Sequence, residues 1–153
     1  MSEISSFRGE HLFLSNFFHH SFEYNGMTWV SSEHAYQAAK VDPSDKATIL
    51  KIAQAQSPGL AKKIGQQVPL REGWEDIKVD EMRKILNAKF SDPDLRAKLI
   101  ATGDAELIEG NTWWDFFWGC VKDEDDDWAG KNMLGKLLME IRAEQSGKVQ
   151  VSN

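Results

Sequence analysis

Apolar positions recur at helical spacing in three stretches of the chain. Between Trp74 and Phe90, the residues Ile77, Met82, Ile85, Leu86, Lys89 and Phe90 form one stripe. Leu95, Leu99 and Ile100 repeat the pattern after Asp92-Pro93, and Gly103 closes that segment. Met133, Leu134, Leu137, Leu138 and Ile141 give one apolar face to a helix over about 131–144. Shorter helices are marked by their ends. Ser31-Ser32 precede an alanine-rich run to about Val41, with serine as the N-cap. Asp42-Pro43-Ser44 breaks that run and recaps a helix over roughly 45–55. Ser57-Pro58 supplies a cap followed by proline at the first helical position, and Gly65 supplies a stop. Residues 4–30 instead mix aromatic and β-branched side chains around Asn25-Gly26, a hairpin signal. The short, apolar and aromatic stretch 105–120 predicts a strand or two, or an extended segment.

The expected fold is therefore α+β, predominantly helical, with a small antiparallel sheet. No repeat or low-complexity linker divides the chain, so a single domain over 1–153 is expected. Its ordered core covers about 4–145, and the polar tail ending at Asn153 is expected to fray.

Composition narrows the function classes. A chain of 153 residues, 41% hydrophobic and 27% charged, is ordinary for a globular domain. Net charge is −6, and the basic residues are dispersed among acidic ones. This argues against gripping a duplex along its backbone, which needs a basic face, but not against a pocket for one extruded nucleotide. Cys120 is the only cysteine, which excludes an internal disulfide and a Cys-rich zinc site. No apolar run approaches the roughly 20 residues of a membrane span. Met1 to Ser6 lack the basic and apolar regions of a secretory leader. The cytoplasm, with no membrane partner, is the expectation.

Three signals imitate binding sites. Asp123-Glu124-Asp125-Asp126-Asp127 invites a calcium loop, but Trp128 and Leu134 occupy the positions that need glycine and a bidentate glutamate, so a solvated acidic loop is expected. Gly130 to Lys136 fits GxxxxGK, yet Leu137 follows where a P-loop needs Ser or Thr, and an apolar helical stripe runs through it. Adjacent His19 and His20 point apart in a strand, and His34 has no His or Cys four residues on; structural or surface roles are expected. No metal and no cofactor are expected.

Four segments mix charged or polar residues with bulky rings: Phe7-Arg8-Gly9-Glu10 through Leu14-Ser15-Asn16-Phe17; Trp29 to Lys40; Arg71-Glu72-Gly73-Trp74-Glu75-Asp76-Ile77-Lys78; and Asp115-Phe116-Phe117-Trp118-Gly119. On a helix beginning near Ser32, Glu33, Tyr36, Gln37 and Lys40 share one face, while Ala35, Ala38 and Ala39 lie toward the other and permit close packing. From this segment alone, a solvent-facing side with an i, i+4 pair accounts for the pattern as well as a site does.

Taken in order, these segments resemble the NADAR family, the YbiA-like proteins whose name refers to NAD and ADP-ribose. The resemblance extends through Ala55 to Gly65, Met82, Lys89-Phe90 and Thr102-Gly103 to Asn132 to Arg142, nearly the whole chain. It implies a mostly helical fold and N-glycosidase activity. The implied substrates are ribosylated aminopyrimidine phosphates of riboflavin synthesis, or ADP-ribose attached to guanine in nucleic acid. The implied partner is thus a ribose-containing nucleotide, including a single modified nucleotide of DNA or RNA. Glu33, Trp74 and Asp115 stand at the family's catalytic positions. The family's glycine-rich stretch after Trp-Gly is replaced here by the acidic segment Cys120 to Trp128, which disfavours a substrate with many exposed phosphates if it lines the pocket.

Breaking a ribosyl C–N bond builds oxocarbenium-like charge at C1′ while the departing base needs a proton, and two carboxyl groups serve these needs. Glu33, in the first turn of a helix, suits the anionic role, favoured by about 0.3–1 kcal/mol from the helix dipole. Asp115 lies among Trp113, Trp114, Phe116, Phe117 and Trp118. If those rings desolvate it, its pKa rises and it suits proton donation. The reverse assignment stays open.

Trp74 is expected to stack on base or ribose at a pocket mouth, with near-normal stability when truncated, because it sits at an element boundary. Trp118 serves as a second ring or as core. Lys40 and Lys78 raise a second route, in which an amine attacks a ring-opened ribose and forms an imine. Arg8 and Arg71 are candidate phosphate contacts. Gly9, Asn16, Tyr36, Gln37 and Asn132 complete the substrate-binding candidates. The rivals to an enzyme are a non-catalytic ADP-ribose or NAD-binding module and a purely structural protein. Two retained carboxylates, which a binder does not need, favour the enzyme.

Overall fold

The computed structural model describes residues 2–147; the tail ending at Asn153 lies outside them. In chain order the elements are β1 (Glu3–Ile4), β2 (Phe22–Tyr24), β3 (Met27–Trp29), α1 (Ser32–Ala39), α2 (Lys46–Ala53), α3 (Pro58–Gly65), α4 (Trp74–Lys89), α5 (Pro93–Ala101), β4 (Glu106–Leu107), β5 (Val121–Lys122), β6 (Trp128–Ala129) and α6 (Met133–Gln145). A 3-10 turn covers Gly9–Leu14. The fold is α+β and mainly helical, as the apolar periodicity predicts. Among the described residues, no helix is long and apolar enough to cross a membrane.

The chain forms two compact units. In the first, residues 16–92, Asn25 and Gly26 both take positive φ and join β2 to β3 as an antiparallel hairpin, pairing Phe22 with Trp29 and Tyr24 with Met27. Ser31 caps α1, its hydroxyl accepting the His34 amide at 3.1 Å. Ser57 caps α3 in the same way, with Pro58 at the first helical position. The cap of α2 is Asp45, which accepts the Thr48 amide, whereas Asp42 turns back onto Ser44; the recapping residue is thus one past the expected break. Met82, Ile85, Leu86 and Phe90 are buried as the α4 stripe predicts, and Lys89 is buried with them. The Lys89 ammonium lies 5.8 Å from the Phe18 ring centre and 5.2 Å from that of Phe90, a cation–π setting for a charge inside the core.

Gly65 was expected to stop α3 by its conformational freedom, but its φ is not positive and Gln66 forms the C-cap. The glycine is required by close approach instead: a Cβ there would lie 2.0 Å from Gln37 Oε1 and 3.1 Å from Gln37 Cβ. His34 also belongs to this core. Its Nε2 donates to the Ala55 carbonyl at 2.9 Å, and Nδ1 accepts the Ser31 hydroxyl at 2.6 Å. Burial pushes its pKa below the usual histidine value, so the ring is a neutral structural strut.

In the second unit, residues 2–15 and 93–147, Leu95, Leu99, Leu107, Leu134, Leu137, Leu138 and Ile141 form the core. Ile100, expected on the buried side of α5, is partly exposed, because it lies a third of a turn round from Leu99. β5 and β6 are antiparallel, whereas β1 and β4 pair in parallel through Ile4 and Leu107, a long-range match that no local turn announces. The acidic run is the turn of the β5–β6 hairpin. One Asp123 carboxylate oxygen, Oδ1, accepts the Asp125 and Asp127 amides at 2.9 Å each, and the run's carboxylates are exposed.

Candidate active site

Buried polar groups converge on α1. Its polar stripe is no solvent face: Glu33 is 7% exposed, and Tyr36 and Gln37 are buried beside it. Asn16 sets the start of this helix, its carbonyl accepting the Glu33 amide at 2.9 Å and its Oδ1 the Ser32 hydroxyl at 2.8 Å. Gln37 Nε2 donates to Glu33 Oε2 at 2.6 Å, one turn along the helix. This bond orients the carboxylate. Gln37 Oε1, pressed toward Gly65, is buried with no hydrogen-bond partner among the described residues.

Around this pair lie Lys40, Tyr36, Trp74 and Lys78. The Lys40 ammonium sits 5.6 Å from the Tyr36 ring centre, and the Tyr36 and Trp74 rings are tilted at 5.5 Å. Burial lowers the Lys40 pKa; the Glu33 charge opposes that shift, while Lys62 and Lys78 reinforce it. Lys78 pairs with Glu75 at 2.5 Å. Lys62 was missed in the sequence, since nothing local ties α3 to α1. The one available signal was the cluster of family-like residues around it.

Trp74 is 4% exposed at the first position of α4, after Gly73 in the left-handed region. The expectation of a ring at a pocket mouth with little structural weight is therefore corrected: the ring is packed. Arg71, expected to contact substrate phosphate, is held instead on the alanine side of α1. Its amide donates to the Lys40 carbonyl at 2.7 Å, its Nη1 to the Ala39 carbonyl at 3.2 Å, and it lines a cleft on the alanine side of α1.

The other candidates belong to the second unit. Arg8 and Gly9 are exposed at the start of the 3-10 turn. Asp115 is half-buried, and its Oδ1 accepts the Phe117 and Trp118 amides at 3.0 and 2.9 Å. The desolvating cage expected around it is absent. Trp113, Trp114 and Phe116 are exposed, Trp114 at 71% and with a positive φ. Trp118 is half-buried and packs edge-on to Phe117 at 4.8 Å.

Asn111, missed in the sequence, holds Asp115 by its backbone: Nδ2 donates to the Asp115 carbonyl at 2.9 Å and Oδ1 accepts its amide at 3.0 Å. Asn132, expected to touch substrate, has both side-chain groups on backbone, donating to the Leu107 carbonyl and accepting the Glu109 amide. Four consecutive amides of the GxxxxGK stretch are taken up by backbone and cannot cradle a phosphate. Those of Lys131, Asn132, Met133 and Leu134 donate to the carbonyls of Phe116, Gly119, Phe117 and Trp118. Gly135 is there for packing, since a Cβ would lie 2.1 Å from the Leu107 carbonyl oxygen. No three His, Cys, Asp or Glu side chains among the described residues gather as a metal site.

Gly65→Ala tests the Gln37–Gly65 contact. Overpacking costs about 1–3 kcal/mol, partly offset by about 1 kcal/mol of better helix propensity. The variant should melt lower and lose activity as Gln37 is displaced from Glu33. A raised melting temperature with full activity would show that the contact is slack.

A buried, oriented carboxylate thus lies beside a lysine of lowered pKa and two packed rings. The model of the NADAR domain matches residues 5–145, and the chain belongs to the NADAR family. N-glycosidase YbiA of Escherichia coli (strain K12) is 41% identical over 131 residues, 84% of this chain and 78% of that protein. Riboflavin biosynthesis protein VVA0006 of Vibrio vulnificus (strain YJ016) is 39% identical over 137 residues, 88% of this chain but 35% of that longer protein. The NMR structure of the E. coli protein YbiA superposes with a TM-score of 0.78 at 37% identity, covering 95% of this chain and 84% of that one. The chain is accordingly an N-glycosyl hydrolase, and the reading as a non-catalytic binding module gives way.

Proposed function

We propose that the chain hydrolyses the N-glycosidic bond of a ribosylated aminopyrimidine phosphate of the riboflavin-synthesis type, acting in the cytoplasm as one functional domain over about 4–145. The observation that carries this reading is the burial of Glu33 with its carboxylate held by Gln37 at 2.6 Å. A desolvated, positioned anion stabilises the positive charge that grows at C1′ as the C–N bond breaks. Glu33 is the stabilising or water-activating carboxylate, and Asp115 gives the departing base its proton. Tyr36 and Trp74 shape the ring-binding wall; Trp118 adds a face. Arg8 contacts phosphate. The riboflavin name of the Vibrio relative supports this substrate class over ADP-ribosylated guanine.

The lowered Lys40 pKa favours a second route at the same site. A neutral amine attacks C1′ of the ring-opened ribose, the base leaves with a proton, and water later hydrolyses the imine. Lys78, already paired with Glu75, is less suited to this.

Incubation with a ribosylaminopyrimidine phosphate and, separately, with ADP-ribosylated guanine in single-stranded DNA distinguishes the substrates by the free base released. Activity confined to the DNA substrate would overturn the riboflavin-type assignment. Borohydride added during turnover should trap a sugar adduct on Lys40 if the imine route runs, and Lys40→Arg, which keeps the charge, should abolish it. Turnover without any adduct, and undiminished in Lys40→Arg, would leave direct hydrolysis.

A further inference from the structure

At 3.6 residues per turn, Ala35, Ala38 and Ala39 fall on the side of α1 opposite Glu33, Tyr36, Gln37 and Lys40. Ala35 and Ala38 are buried there, and Ala39 is partly exposed. That side is a wall of a cleft of about 800 Å³, within the unit of residues 16–92, to which none of the four polar-stripe residues contributes. Tyr24 and Trp29 of the hairpin line it with Ile49 and Leu50 of α2, so it has an aromatic edge and an apolar wall.

Its charge runs against that of the protein. Lys46 of α2, Arg71 of the segment before α4 and Lys84 of α4 all line the cleft, in a chain whose net charge is −6. Neither Lys46 nor Lys84 has a carboxylate partner among the described residues. The one carboxylate lining it, Glu81, accepts the Tyr24 hydroxyl at 2.8 Å. Burial, with the Glu81 carboxylate beside it, raises the Tyr24 pKa, so the phenol stays protonated and adds no negative charge. Three cations from two helices and the segment before α4, lining one partly apolar cleft, form a recognition surface for an anion carried on a small body.

We propose that this cleft is a second ligand site, separate from the Glu33 face, which takes a phosphate monoester on a sugar. Lys46, Arg71 and Lys84 receive the phosphate, Glu81 accepts a sugar hydroxyl, and the alanine wall packs against the carbon skeleton. The two sites share α1 as a common partition.

The test is a methyl-resolved NMR titration of the whole protein with ribose 5-phosphate, with ribose and inorganic phosphate as separate arms. Saturable shifts are expected at the Ala38, Ala39, Ile49 and Leu50 methyls with ribose 5-phosphate, unchanged in Glu33→Gln, and weaker by at least tenfold with either component alone. The exposed pair Lys46→Glu/Lys84→Glu, or the milder Lys46→Gln/Lys84→Gln, should weaken binding at least tenfold while leaving N-glycosidase turnover intact. No saturable shift at those methyls, or equal affinity in the charge variants, overturns the site. Equal affinity for inorganic phosphate overturns the sugar assignment. The catalytic reading survives each of these failures, because it rests on Glu33 and is measured by base release.

Discussion

Glu33→Gln should lower turnover by at least about 10²-fold while the protein stays folded, within the range for groups that act as general acids or bases. Glutamine keeps the shape and can still accept the 2.6 Å bond from Gln37; what goes is the negative charge facing the growing cation. Asp115→Asn should cost a similar factor. Its amide oxygen can still accept the Phe117 and Trp118 amides, so the loop geometry is preserved and only the proton-transfer capacity is removed. Circular dichroism and melting curves establish folding, and base release under saturating substrate gives turnover. A folded variant at the wild-type rate would remove that residue from the mechanism.

Trp74→Ala should destabilise the protein by about 3–5 kcal/mol, the usual cost of truncating a packed tryptophan. The ring is 4% exposed and meets Tyr36 at 5.5 Å, so its loss opens a void beside α1 and frees the rings that border Glu33. Activity should therefore fall with stability. Trp74→Phe keeps an aromatic face and less volume, and should recover most of the stability. Comparing the two at a temperature where both are folded separates the roles: a phenylalanine variant that melts near wild type yet turns over slowly marks a ring contact with substrate. If Trp74→Ala melts as wild type does, the ring is not part of the core.

What the sequence disclosed was local. Ser31, Ser57-Pro58 and Asn25-Gly26 announce their elements because a cap or a turn is decided within four residues. The α4 and α6 stripes were legible because burial repeats at the helical period. The partners across the fold were not. Gly65 reads as a stop until Gln37 is seen against it, and Lys62 carries no mark of its influence on Lys40. Asn111 looks like any loop polar residue until its two bonds to Asp115 are known. Adjacency to aromatic residues in sequence does not place their rings around the Asp115 carboxyl group, since Trp113, Trp114 and Phe116 are exposed. The pairing of β1 with β4 spans about a hundred residues, beyond any periodic signal.

The four amides that open α6 are held by the four carbonyls of residues 116–119. Both strips are fixed to one another directly, whatever the chain does between them. The acidic hairpin turn at 123–127 is thus a detachable loop in the architectural sense: residues can be added, removed or exchanged at its tip without altering the register between residues 116–119 and 131–134. An engineer could graft a sensor peptide or an affinity handle at that tip, whereas a one-residue slip on either strip would break the whole ladder.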